Sequence, residues 1–178
     1  KNIIIVAGEP YSIFLEILFK SMKSKKINKP FILICSKELL ISQMKKLNYN
    51  FKINSIKKEK IKNTKILKNY INILDVHFHF TKAFDKISSK SSKYIENCFS
   101  EGLNLIKNGY SRTLINGPVS KKYFLKKKHL GITEYLAKKS GQKGKEVMLI
   151  YNKKLSVSPI TTHLPIQDIK KNISSKKI

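Results

Sequence analysis

The residues best placed to do chemistry are few, and one histidine leads them. Leu155 to Pro165 runs from an alternating stretch into Thr161-Thr162-His163-Leu164-Pro165, which sets an imidazole just past an expected strand and stiffens the chain behind it with proline. Open α/β sheets bind ligands beyond the carboxyl ends of their strands. A neutral imidazole there ligates a divalent ion such as zinc once other histidines or carboxylates converge on it. Taken alone, a single histidine after a strand is more often a hydrogen-bonded structural residue.

Two further segments offer anion-binding chemistry. In Ile115-Asn116-Gly117-Pro118-Val119-Ser120-Lys121, glycine permits close backbone approach, proline stiffens the turn, and Ser120 and Lys121 place a donor and a cation at a helix start. An ordinary βα turn with a solvated lysine fits equally well. In Gly131-Ile132-Thr133-Glu134-Tyr135-Leu136-Ala137, the Thr133 hydroxyl either caps a helix or meets a phosphate. His77 and His79 in Val76-His77-Phe78-His79-Phe80 would share one strand face, but no carboxylate or cysteine completes a metal spacing. His129, after three lysines, reads as solvent exposed. No Gly-x-Gly-x-x-Gly, P-loop or Gly-x-Ser-x-Gly motif occurs.

These groups need a scaffold, and the apolar pattern supplies one. Ile3 to Ala7 and Phe31 to Cys35 have the length and branching of buried strands. Helices are expected after each, the first with Ser12 as N-cap, the second over Lys37 to Leu47. Phe51 to Ile56 and Tyr70 to Val76 read as strands, Ser88 to Lys107 as a long helix ended at Asn108-Gly109, and Thr113 to Ile115 as a short strand. Val147 to Tyr151 and Leu155 to Ile160 form a pair turned at Asn152-Lys153-Lys154, and Ile166 begins an amphipathic helix. Alternating helices and strands imply α/β: a mainly parallel sheet covered on both faces, the three-layer α/β/α arrangement. The opening directly into a strand, and the tail with no closing element, imply a fragment.

Composition narrows the function classes. The chain has 178 residues, 41% of them hydrophobic, enough for a sizeable core. No run spans a membrane and none resembles a secretory signal, which reads as cytoplasmic. Cys35 and Cys98 lie apart in apolar surroundings and read as buried thiols. The net charge of +26 invites a lysine-rich nucleic-acid-binding module. Against it, Arg112 is the only arginine among 37 basic residues, and arginine is the favoured residue for bidentate phosphate and guanine contacts. The lysines are spread along the whole chain, so a solvated surface is expected, with no nucleic-acid or membrane partner. Small anionic substrates would still be drawn to it.

Taken in order, Gly8-Glu9-Pro10 with Glu16, Ile115 to Lys121, Gly131-x-Thr133-Glu134-Tyr135-Leu136-Ala137, and Thr161 to Pro165 followed by Asp168-Ile169 resemble the 4-hydroxythreonine-4-phosphate dehydrogenase family of vitamin B6 biosynthesis. The resemblance implies two α/β domains like those of isocitrate and isopropylmalate dehydrogenases, the first over 1–126 and the second, dimer-forming, beginning at 127 and truncated at 178. It further implies a homodimer with a shared active site and a small phosphorylated hydroxy-amino-acid substrate. NAD or NADP would serve as cofactor, with zinc, magnesium or cobalt as the divalent metal. The reaction implied is oxidation and decarboxylation of 4-phosphohydroxy-L-threonine to 3-amino-2-oxopropyl phosphate. His163 corresponds to one of three metal-binding histidines and so to a catalytic position, the other two lying beyond this chain. Thr133 corresponds to one member of a His-Thr pair that binds the substrate, and Ile132 stands where the family has the histidine. Lys121 as a substrate-binding cation rests on its position alone. Tyr11-Ser12-Ile13-Phe14-Leu15 replaces the family's glycine-rich loop. These two departures leave room for a sister dehydrogenase acting on phosphothreonate or phosphoerythronate.

Overall fold

The structure is a computed structural model that describes residues 2–27, 29–126, 128–161 and 165–174. The chain divides into two compact units, Lys1–Lys127 and Lys128–Ile178. In the first, five parallel strands form one sheet: β1 (Ile3–Val6), β2 (Phe31–Cys35), β3 (Ile53–Ile56), β4 (Ile71–Asp75) and β5 (Thr113–Asn116). Their order across the sheet is β3-β4-β2-β1-β5. Every residue of β2 is buried, as a central strand covered on both faces requires.

Alternation along the strands sorts the two faces. Ile5 and Ala7, Phe31, Leu33 and Cys35, and Ile71 and Ile73 form one cluster with Leu15, Leu18 and Phe19 of α1 (Phe14–Lys23) and Leu40 and Met44 of α2 (Lys37–Lys46). The opposite face carries α3 (Ser92–Lys107), whose Tyr94, Ile95, Cys98, Phe99 and Leu105 are buried. Gly102 lets α3 lie close: a Cβ there would stand 3.0 Å from both Leu114 and Val6 side chains. Each fully buried Ile, Leu or Phe adds about 1.5–3 kcal/mol, so the unit is a three-layer sandwich built around β1 and β2.

Local chemistry sets the boundaries, and several differ from the sequence reading. Ser36 caps α2 by accepting from Leu39 N at 3.3 Å, while α1 begins at Phe14 without a side-chain cap; the Ser12 hydroxyl meets Phe14 N at 3.3 Å. Strand β4 ends at Asp75, whose carboxylate accepts from Lys37 N at 2.8 Å, so His77 and His79 lie past the strand and not on its face. A 3-10 turn over Ser89–Ser91 precedes α3.

The second unit contains α4 (Ile132–Lys139), an antiparallel pair β6 (Ile150–Tyr151) and β7 (Ser156–Val157), and α5 (Ile166–Asn172). The hairpin turns at Asn152, whose N–H donates to Leu155 O at 3.0 Å. Both strands are shorter than their apolar runs. Beyond Val157 the pairing passes to a side chain, Ser158 Oγ donating to Met148 O at 2.8 Å, and Pro159 has no N–H for a ladder. Among the described residues no helix is long and apolar enough to cross a membrane.

Candidate functional site

Two of the sequence segments meet at the carboxyl edge of the sheet. Strand β1 leads to α1 on one face, and β5 is reached from α3 on the other, so the β1–β5 boundary is where the winding reverses. Open sheets of this kind take ligands at that switch point. Glu9 N donates to Pro118 O at 2.9 Å and Gly117 N to Val6 O at 2.7 Å, joining Gly8-Glu9-Pro10 to Gly117-Pro118. Both glycines are required there. Gly8 has φ +76 and a Cβ on it would collide with the Pro118 carbonyl oxygen; a Cβ on Gly117 would collide with the Ala7 carbonyl oxygen and lie 2.9 Å from the Phe14 ring.

Glu9, which sequence reading gave only as part of a motif, is 3% exposed. Neither of its carboxylate oxygens has a hydrogen-bond partner among the described residues. Burial raises its pKa from the usual carboxylate value; the nearby Ser91 hydroxyl acts the other way, but donates its own hydrogen to Ser88 O at 3.0 Å. The signal available in the sequence was an acid in a turn directly after a wholly apolar strand. Around it stands an aromatic wall: Tyr11 meets Phe78 edge-on at 5.8 Å, and Phe78 meets Tyr94 at 4.7 Å. Tyr94 Oη accepts from Ser36 N at 2.9 Å, and Gln43 Nε2 donates to Pro10 O at 2.9 Å and Ala83 O at 2.7 Å. Tyr11 and Phe14 thus pack at this junction, Tyr11 on Phe78 and Phe14 beside Gly117.

Past β5, Ser120 Oγ accepts from Tyr123 N at 3.1 Å and starts a wide π-type turn over Lys121–Leu125. Such turns recur at functional sites. Ser92 Oγ donates to Tyr123 O at 3.1 Å, tying it to α3. Lys121 is exposed in its first residue, just beyond the β5 edge. In the second unit Gly131 is the N-cap of α4, so Thr133 lies inside the first turn and is not the cap; Ile132 and Thr133 are both half-buried. His129 is not merely solvated, since its ring packs edge-on against Tyr135 at 5.4 Å. His163 lies outside the described residues.

The thiols Cys35 and Cys98 are free and buried. Burial pushes Cys35 well up and Cys98 to about 12, so neither is a nucleophile at neutral pH. Among the described residues no three His, Cys, Asp or Glu side chains gather to hold a metal ion.

A parallel, doubly covered sheet with its two switch-point loops joined at the carboxyl edge places the first unit among the open α/β proteins that bind ligands at that edge. Residues 26–178 match the family model described as pyridoxal phosphate biosynthetic protein PdxA. The chain belongs to that family. It is 31% identical over 179 aligned residues to the 4-hydroxythreonine-4-phosphate dehydrogenase of Sulfurihydrogenibium sp. (98% of this chain, 53% of the relative). It is 27% identical to that of Aquifex aeolicus (100% and 54%). A solved structure from Salmonella typhimurium, provisionally assigned as the same enzyme, superposes with a TM-score of 0.84 at 20% identity, covering 99% of this chain and 55% of that one. That superposition carries the three-layer fold. The chain spans about half the length of the curated relatives it matches.

Proposed function

We propose that this chain serves a 4-hydroxythreonine-4-phosphate dehydrogenase: oxidation of 4-phosphohydroxy-L-threonine by NAD (or NADP), then loss of CO₂ to give 3-amino-2-oxopropyl phosphate, in vitamin B6 biosynthesis. The observation that carries this reading is the family match over residues 26–178, with relatives of that name aligned along the whole chain.

Within it, the residues take roles suited to their chemistry. Thr133, in the first turn of α4, offers its hydroxyl to the substrate phosphate where amide N–H groups also point outward. Lys121, exposed beside the β5 edge, supplies a positive charge for the phosphate or carboxylate. His163 supplies one metal ligand and must be neutral to do so, which sets a lower pH limit on activity. The described residues offer no complete ligand set, so the remaining donors are proposed to come from the half of the family's length not covered here. A bound divalent ion would lower the pKa of the substrate hydroxyl and stabilise negative charge after CO₂ is lost. The assembly proposed is a homodimer sharing its active site, in the cytoplasm.

Ile132 favours a second reading. An isoleucine where the resemblance expects an imidazole donor removes a polar contact to the ligand, and sites lacking such a donor discriminate differently among hydroxy acids. The second reading is a sister enzyme for phosphothreonate or phosphoerythronate.

The test is rescue of a bacterium that lacks 4-hydroxythreonine-4-phosphate dehydrogenase and needs added vitamin B6. A gene of the family's full length carrying this chain should restore growth, and its His163→Ala form should not. Failure of the unmutated gene, with soluble protein in the cells, would overturn the proposal.

A further inference from the structure

At the opposite edge of the first unit's sheet, where β2 and β4 begin, lies a cavity of about 470 Å³. Its apolar walls come from Phe31, Phe51, Tyr70 and Ile27, and Lys23, Lys25, Lys29 and Lys68 stand round it with no acidic residue among the lining groups. Volumes of about 300–1,000 Å³ with apolar walls and a few polar groups are those of small-molecule sites. The cavity is at the other end of the strands from Gly8 and Gly117, and the proposed dehydrogenase reading gives it no role.

Its walls are held in place. The two N–H groups of the fully buried Asn72 amide donate to the Phe31 and Leu67 carbonyls at 3.1 and 2.9 Å, with the Tyr70 carbonyl sharing one of them at 3.4 Å, while its oxygen accepts from Leu67 N at 2.8 Å and from Asn54 Nδ2 at 2.9 Å. The 67–70 wall is thereby fastened to the start of β2. On the far side Phe51 stacks on Tyr49 at 5.8 Å and packs on Phe19 at 5.9 Å. Lys23 Nζ stands 5.8 Å from the Tyr49 ring and Lys52 Nζ 5.8 Å from the Tyr70 ring, distances at which aromatic faces hold cations.

We propose that this cavity is a second ligand site, for a small organic anion with a flat apolar body, such as an aryl phosphate. A neutral aromatic would fill the walls and leave the lysines without a counter-charge. A bare phosphate would meet the lysines and leave the aromatic walls wet. Only a molecule with both parts uses both, and charge-assisted hydrogen bonds to phosphate are the stronger class.

The test is a titration of the isotope-labelled protein with 1-naphthyl phosphate, followed by amide chemical shifts. Saturable shifts are expected at Met22, Lys25, Ile27, Phe51 and Lys68 to Tyr70, with 1-naphthol and inorganic phosphate each binding about tenfold more weakly. Lys25→Ala combined with Lys68→Ala should weaken binding about tenfold with unchanged far-ultraviolet circular dichroism. Shifts that do not saturate, that spread over remote lysines such as Lys57 and Lys128, or that fall on Gly8 to Tyr11 and Asn116 to Lys121 would each overturn the proposal. So would equal affinity for inorganic phosphate.

Discussion

The junction of Gly8 and Gly117 can be tested by substitutions that separate backbone conformation from collision. Gly109 has φ +71 and open space around a would-be Cβ, Gly117 faces a collision without a positive φ, and Gly8 has both. An L-residue held in the left-handed region costs about 1–2 kcal/mol, offset by about 0.4–1 kcal/mol because alanine stiffens the unfolded chain. Gly109→Ala should therefore cost about 0–1.6 kcal/mol. In Gly117→Ala the β1 and β5 loops must separate, weakening the Gly117 N to Val6 O and Glu9 N to Pro118 O bonds. At about 1 kcal/mol each plus displacement of the Phe14 ring, the loss is about 2–4 kcal/mol. Gly8→Ala combines both terms and should cost the most, about 3–5 kcal/mol. Urea denaturation followed by far-ultraviolet circular dichroism reads these differences, and Tm should fall about 2–4 °C per kcal/mol. If Gly117→Ala cost no more than Gly109→Ala, the close approach of the two loops would be refuted.

Glu9 and Asn72 give two further expectations. The Glu9 carboxyl has its pKa raised above 4.5 by burial; below that pH both folded and unfolded states are protonated, and as pH rises the unfolded state ionises first. The stability of the unmutated protein should thus decline relative to Glu9→Gln from about pH 4.5 up to the folded pKa and then level. A difference in urea midpoint that did not change with pH would contradict it. Asn72→Ala leaves the buried Phe31 carbonyl and the part-buried Leu67 carbonyl without the amide and should cost about 2–4 kcal/mol. Amide hydrogen exchange in residues 67–70 should quicken; unchanged exchange there would show that the side chain does not fasten this loop.

The strands were legible wherever burial was complete. Ile3 to Val6 and Phe31 to Cys35 are near-continuous apolar runs because both faces of a central parallel strand are covered. The long helix was legible from Tyr94, Ile95, Cys98 and Phe99, which sit at helical spacing. Legibility failed where distant partners decide. His77 and His79 continue an alternating pattern, but the neighbouring β2 ends at Cys35, where Ser36 caps α2, and β4 stops with its partner at Asp75. Ser12 has the right type and place for a cap, yet α1 starts at Phe14. The site was legible as separate motifs and not as an assembly. Nothing local to Gly8 or Gly117 announces that each excludes a side chain from the other's loop, and nothing local to Glu9 announces its burial.

The most direct measurement is reduction of NAD, followed at 340 nm, by a protein of the family's full length that carries this chain, with a divalent metal and 4-phosphohydroxy-L-threonine. Steady NADH formation matched by release of CO₂ is expected, abolished by chelation and by His163→Ala. No NADH from that substrate, or a preference for phosphothreonate or phosphoerythronate, would contradict it.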